Sequence, residues 1–309
     1  MTTPGVLWPA LLGVAFLAAG MITYRRNAFG AGDGDAFGLA ALGPVFVAAS
    51  LAAFAGEHFT AAPLLAQLVP KWLPGRLFIA YFVGCAHLAA ALSFVARRYV
   101  RWSAAALALM FALFVLTMDL PGAIARPGVR MAWSLAARET TFSIGALALF
   151  AIAVRGGRPQ LANRVATIAR LWTAGVLVFY GLENLLFPQF APGVPDTTPT
   201  APWIPFPRVI ALVTGLLLMA FGVAMCVRKR ASSAAAACGW LMALLTLALY
   251  VPQFFIARGA QAQVTAINFI FDTLLFAGTL LVISQAIAET APSPAPAARP
   301  LEPAPAPMA

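Results

Sequence analysis

Charged side chains are what this 309-residue sequence has least of: they make up 10% of it, with 10 Asp and Glu against 20 Lys and Arg. A soluble domain of this length needs far more polar surface, so a soluble fold is excluded. Histidine occurs twice and cysteine three times, and Cys85, Cys226 and Cys238 have no CxxC spacing. That removes a disulfide framework, a thioredoxin-like pair and covalent haem attachment, and leaves the cysteines as small packing residues. The net charge of +10 comes from short basic clusters between apolar segments, without the aromatic-interleaved patches that bind nucleic acid.

What remains is apolar: 62% of the residues are hydrophobic, and the mean hydropathy is +0.88. Windows of roughly 18 or more nearly uncharged residues span a bilayer. Such segments fall at 6–24, 36–57, 77–96, 103–120, 134–154, 168–187, 208–227, 233–254 and 265–287. The pattern predicts an all-α polytopic membrane protein of about nine transmembrane helices. The fifth segment is interrupted by Arg138 and Glu139.

No basic residue precedes the first segment and "YRR" follows it, the reverse of a cleavable signal peptide. Residues 1–30 are therefore expected to be a retained anchor with its N-terminus outside. Thirteen of the 20 Lys and Arg then lie inside and seven outside, in line with the positive-inside rule. Residues 289–309, "ETAPSPAPAARPLEPAPAPMA", can neither span nor pack, and are expected to be a disordered cytoplasmic tail.

The chain repeats itself. "FAGEHFTAAP" returns as "FYGLENLLFP", "LVPKWLPGR" as "TAPWIPFPR", "ARR" as "RKR", "DLPGAIAR" as "YVPQFFIAR" and "ETTFSIG" as "DTLLFAG". Five pairings in one order argue for a duplicated four-helix unit, at 36–157 and 165–288. An even number of spans per unit gives two parallel copies behind the anchor. The alignment sets Glu57 on Glu183, His58 on Asn184, Asp119 on Tyr250 and Glu139 on Asp272, all toward the outer ends of their helices.

Ionisable groups at membrane depth cost at least ~2.5 kcal/mol at the helix centre, and they face a bundle interior or wet cavity with a partner. The partners expected are Arg138 beside Glu139, Arg76 for the first unit, and Arg208 or Arg258 for the second. Glu57 and His58 have two readings: a proton-handling or ligand-anchoring pair, or a polar cluster that caps the following loop or meets headgroups. Glu139 and Asp272 likewise suit either a functional site or a buried ion pair that fixes helix register. His87 lies about ten residues into the third span, which would set it roughly 15 Å from His58 along the membrane normal. On that count bis-histidine haem is not expected. No Glu-x-x-His pair suggests a di-iron site, and no metal is expected. Trp72, Trp133 and Trp203 read as interfacial residues, Gly84, Gly215 and Gly222 as close helix contacts, and the proline-rich segment 188–207 as irregular outer surface.

The glutamate-histidine at a helix end, the loop "VPKWLP", the helix that begins near "YFVG" and ends in basic residues, and the final "DTLLFAG" helix together resemble the DoxX-like family of small bacterial four-helix membrane proteins. Over residues 36–287 the chain resembles members with two such units in tandem. The resemblance implies a bacterial inner-membrane protein, in which the charge pattern would set the N-terminus in the periplasm and the C-terminus in the cytoplasm. Some relatives are linked to quinone-dependent sulfur oxidation or terminal oxidation. It points to a membrane subunit that binds a quinone or another apolar redox carrier and works with a redox partner subunit. Glu57, His58 and Glu139 would handle protons, and Glu183, Asp272, His87, Asp119, Arg76 and Arg208 would serve binding. This sequence departs from the family at Asn184, and at His87, where a glutamate is common; the second copy has Leu218 there. A transporter of a small or amphiphilic solute and a scaffold without ligand stand as alternatives.

Overall fold

The computed structural model describes residues 4–28, 39–201 and 203–290. Of the tail expected to be disordered, 291–309 lie outside the described residues. Among the described residues nine helices are long and apolar enough to cross a membrane. They are α1 (Pro4–Tyr24), α2 (Ala40–Thr60), α3 (Arg76–Ala96), α4 (Val100–Ala125), α5 (Arg130–Val154), α6 (Pro159–Leu186), α7 (Pro207–Cys226), α8 (Arg228–Ile256) and α9 (Ala260–Ala288). Arg138 and Glu139 do not interrupt α5, because a helix satisfies its own backbone wherever the side chains point.

Local sequence sets the boundaries. Proline opens α2, α6 and α7, where its missing N–H costs nothing. Gly75, at φ +65°, turns the chain into α3. Proline inside a span has a different effect. Pro121 in α4 and Pro252 in α8 each follow a π-helical turn, Val115–Asp119 and Thr246–Tyr250. A proline cannot donate to the preceding turn and crowds its carbonyl, and a widened turn relieves both.

The spans pack as a ring with a bar across it. Neighbours in sequence from α2 to α9 touch in order, α9 returns to pack on α2, and α5 and α9 meet in the middle. Two chambers result. One is bounded by α2, α3, α4, α5 and α9, the other by α6, α7, α8, α9 and α5, so each chamber is closed by the last helix of the opposite half. Exchanging α2 with α6, α3 with α7, α4 with α8 and α5 with α9 carries the main packing pairs onto one another. The first helix stands outside this ring, against α2, α9 and α3. Buried along most of its length, α9 is the hub, whereas α1 is mostly exposed.

Where α9 crosses α2, two glycines bring the backbones together. A Cβ on Gly278 would lie 2.8 Å from the Gly43 carbonyl oxygen, and one on Gly43 would lie 2.9 Å from that of Gly278. Such small-residue contacts replace the hydrophobic drive that lipid does not supply. Of the cysteines only Cys238 is a buried packing residue, since Cys85 and Cys226 are exposed. The segment after α6 is irregular, but 191–195 turn inward and are buried instead of lying on the surface.

Replacing Gly278 by valine should separate α9 from α2 and lower the unfolding temperature in detergent by several degrees, a cost of about 1–3 kcal/mol or more. The control is Gly128→Ala, where nothing lies within 4 Å of the added atom. Thermal unfolding followed by circular dichroism checks both.

Candidate functional site

The first chamber holds a cavity of about 570 Å³. Glu57 and His58 come from the last turn of α2, His87 from α3, Arg138 and Glu139 from α5, and Asn268 and Asp272 from α9. Between these polar groups the wall is apolar and aromatic: Phe54, Val83, Met110, Phe111, Phe114 and Phe142. Leu68, Trp72, Phe82 and Leu113 also line it and are exposed, so they frame a mouth between α3, α4 and the segment that follows α2. An apolar pocket with a few convergent polar groups is the usual form of a small-molecule site.

Hydrogen bonds fix some of these groups and leave others open. Asn268 Nδ2 donates to Glu57 Oε2 at 3.1 Å, while Glu57 Oε1 is buried without a partner. His58 Nδ1 donates to the Phe54 carbonyl at 2.8 Å. Both ring nitrogens of the buried His87 are unpartnered. Arg138 Nη1 donates to Asp272 Oδ2, and its Nε stands 4.0 Å from Glu139 Oε1. One guanidinium thus joins an acid on its own helix to an acid on α9.

The sequence-based depth of the two histidines is overturned. Their ring centroids are 5.3 Å apart, with the rings edge to face at 75°. The end of α2 is not level with the start of α3: Gly84, two turns into α3, is level with His58. A Cβ on Gly84 would come within 2.8 Å of the His58 Cβ. The depth argument against haem falls with that estimate. Among the described residues no group of three His, Cys, Asp or Glu could hold a metal ion.

The expected ion-pair partners also change. Arg76 and Arg208 are exposed near the starts of α3 and α7 and do not line the cavity, and among the described residues neither pairs with an acid. Glu183 is held instead by Arg130, whose Nη1 donates to Glu183 Oε2 at 2.5 Å and whose Nη2 donates to the Asp196 carbonyl at 2.9 Å. The same guanidinium lies over the rings of Phe187 and Phe190. Glu183 is therefore committed to anchoring the segment after α6. Asp119 is buried at the end of its π turn, with Oδ2 unpartnered, and does not line the cavity.

Arg130, Asn268 and the aromatic wall were not found by sequence reasoning. Both polar residues act across the two halves, and only the return of α9 onto α2 and the packing of α5 on α6 bring them there. Trp72, read as an interfacial residue, also stands at the cavity mouth. No family model, curated protein or solved structure matches this chain.

Arg138→Met should leave Asp272 and Glu139 buried without a cation and destabilise the protein by about 3–5 kcal/mol. Removing Asp272 as well, in Arg138→Met/Asp272→Leu, should restore at least half of the loss. Unfolding temperatures of the two variants in one detergent measure the difference.

Proposed function

We propose that this chain is a DoxX-like protein of the bacterial inner membrane, a tandem duplication of one four-helix unit, which binds a quinone or a similar apolar redox carrier in the first chamber. The observation that carries this reading is a cavity with an exposed apolar mouth and an ionisable inner wall. A molecule dissolved in the bilayer can pass Leu68, Phe82 and Leu113 without leaving apolar surroundings. Its polar end then meets His58, His87 and Glu57.

The residues present fit such a carrier. A buried polar atom without a partner costs about 1–3 kcal/mol, and His87 and Glu57 together hold three of them on the cavity wall. When bound, a quinone supplies two-electron, two-proton chemistry. Phe111 and Phe142 keep water from the inner wall, His58 and Glu57 hold or accept protons at Nε2 and Oε1, and Arg138 keeps Glu139 and Asp272 in place. The three cysteines are not on the cavity wall, so electrons would be exchanged with a partner subunit that carries a redox centre.

Two facts support duplication beyond the sequence pairings. The π turns fall at aligned positions ahead of aligned prolines. Gly215 meets Asn184 as Gly84 meets His58, each at about 3 Å from an added Cβ. A solute pathway along the seam between the halves finds less support, because Gly145 of α5 is packed directly on Thr279 of α9 there. A scaffold reading gives no reason for the open nitrogens of His87.

Gently purified protein should yield a near-stoichiometric quinone in its organic extract by mass spectrometry. His87→Leu, which installs the residue found at position 218, should reduce that amount at least about tenfold, equivalent to 1.4 kcal/mol, without lowering the unfolding temperature. Bulk phospholipid alone in both samples would overturn the proposal. For orientation, alkaline phosphatase inserted between α6 and α7 should be active and the same enzyme fused after Ala288 inactive. The opposite pattern would invert the assigned topology.

A further inference from the structure

The two chambers differ in what fills them. In the second, the chain supplies its own occupant: the segment after α6 turns inward at 191–195. A Cβ on Gly193 would lie 3.3 Å from Leu245 Cδ1 and 3.6 Å from Met242 Sδ. On the alignment anchored at Asp119 and Tyr250, these two residues correspond to Phe114 and Phe111, which line the open cavity. Asn184, the counterpart of His58, completes the correspondence. Its Nδ2 donates to the Gly193 carbonyl at 2.9 Å, and its Oδ1 accepts from the Gly193 N–H at 3.0 Å. Tyr250 donates to the Pro192 carbonyl at 2.9 Å. The position after the helix-end glutamate therefore reads the hydrogen-bonding character of whatever occupies its chamber.

In the first chamber that reader is an imidazole with its tautomer fixed. The Phe54 carbonyl can only accept, so His58 Nδ1 carries the proton. Among the described residues no carboxylate is in ion-pair contact with the ring, and in the neutral ring Nε2 is an acceptor. One residue earlier, Asn268 donates to Glu57 Oε2 and leaves Oε1 open. Asparagine at this position can both give and take a hydrogen bond, whereas His58 can only take one.

We infer that the first chamber selects an apolar molecule through a hydroxyl that it donates to His58 Nε2, and so favours the hydroquinone form of a carrier over its quinone form. This rests on the proposed function and adds to it the chemical class of the preferred ligand.

The test is equilibrium binding to full-length protein in lipid nanodiscs of three probes with one alkyl chain: a decyl hydroquinone, its dimethyl ether and the decyl quinone. The hydroquinone should bind at least about tenfold more tightly than either of the others. In His58→Asn that ratio should fall to threefold or less while binding persists, because asparagine donates as well as accepts and already stands beside the matching glycine in the second half. Equal binding of hydroquinone and ether, tighter binding of the quinone, or an undiminished ratio in His58→Asn would overturn the inference and leave the cavity reading intact. If none of the three binds the wild type, both fail together.

Discussion

The structure turns on one guanidinium. An ionised carboxylate cannot stay within a bilayer unless something compensates it, and Arg138 does so for two helices at once, reaching Glu139 on its own α5 and Asp272 on α9. This cross-link lies at the meeting of the two halves, where α9 is held by backbone approach to α2 and by close contact with α5. With α9 fixed there, Asn268 reaches Glu57 and the first chamber gains its fifth wall. A cavity with unpartnered nitrogens can persist inside a packed membrane protein because the wall behind it is tied so firmly.

The halves share a plan and diverge in contents. In both, a glutamate closes a helix and a residue from the other half's last helix meets it: Asn268 for Glu57 and Arg130 for Glu183. In the second half the pair belongs to a clamp of Arg130, two phenylalanine rings and the Asp196 carbonyl that holds the inserted segment. Its aligned position for His87 is Leu218, which is fully buried and offers nothing to a ligand. The second chamber is filled by the chain itself, and the first holds polar groups facing open space.

Much of this was legible beforehand. Apolar runs located all nine spans, because bilayer thickness imposes a length that composition reveals directly. The candidate acids were legible for the same reason: Glu57, Glu139 and Asp272 stand out in a chain with so little charge, and all three line the cavity. What could not be read was which groups meet. Asp272 and Arg138 are 134 residues apart, and no local period signals that α9 folds back between α2 and α5. Nor does the sequence show the relative level of His58 and His87, because the contact at Gly84 sets the vertical offset of α3 on α2.

The π turns in α4 and α8 bear on the helical phase of these spans. An extra residue in a turn adds angle without adding a turn of hydrogen bonds, so every side chain beyond it is rotated relative to a regular helix. Asp119 and Tyr250 close those turns, and both are buried. Shortening either turn by one position would leave a span still long enough for the bilayer, yet would swing its buried polar group through about 100° toward lipid. These two spans thus carry an angular setting that hydropathy does not record and that one residue's deletion would erase.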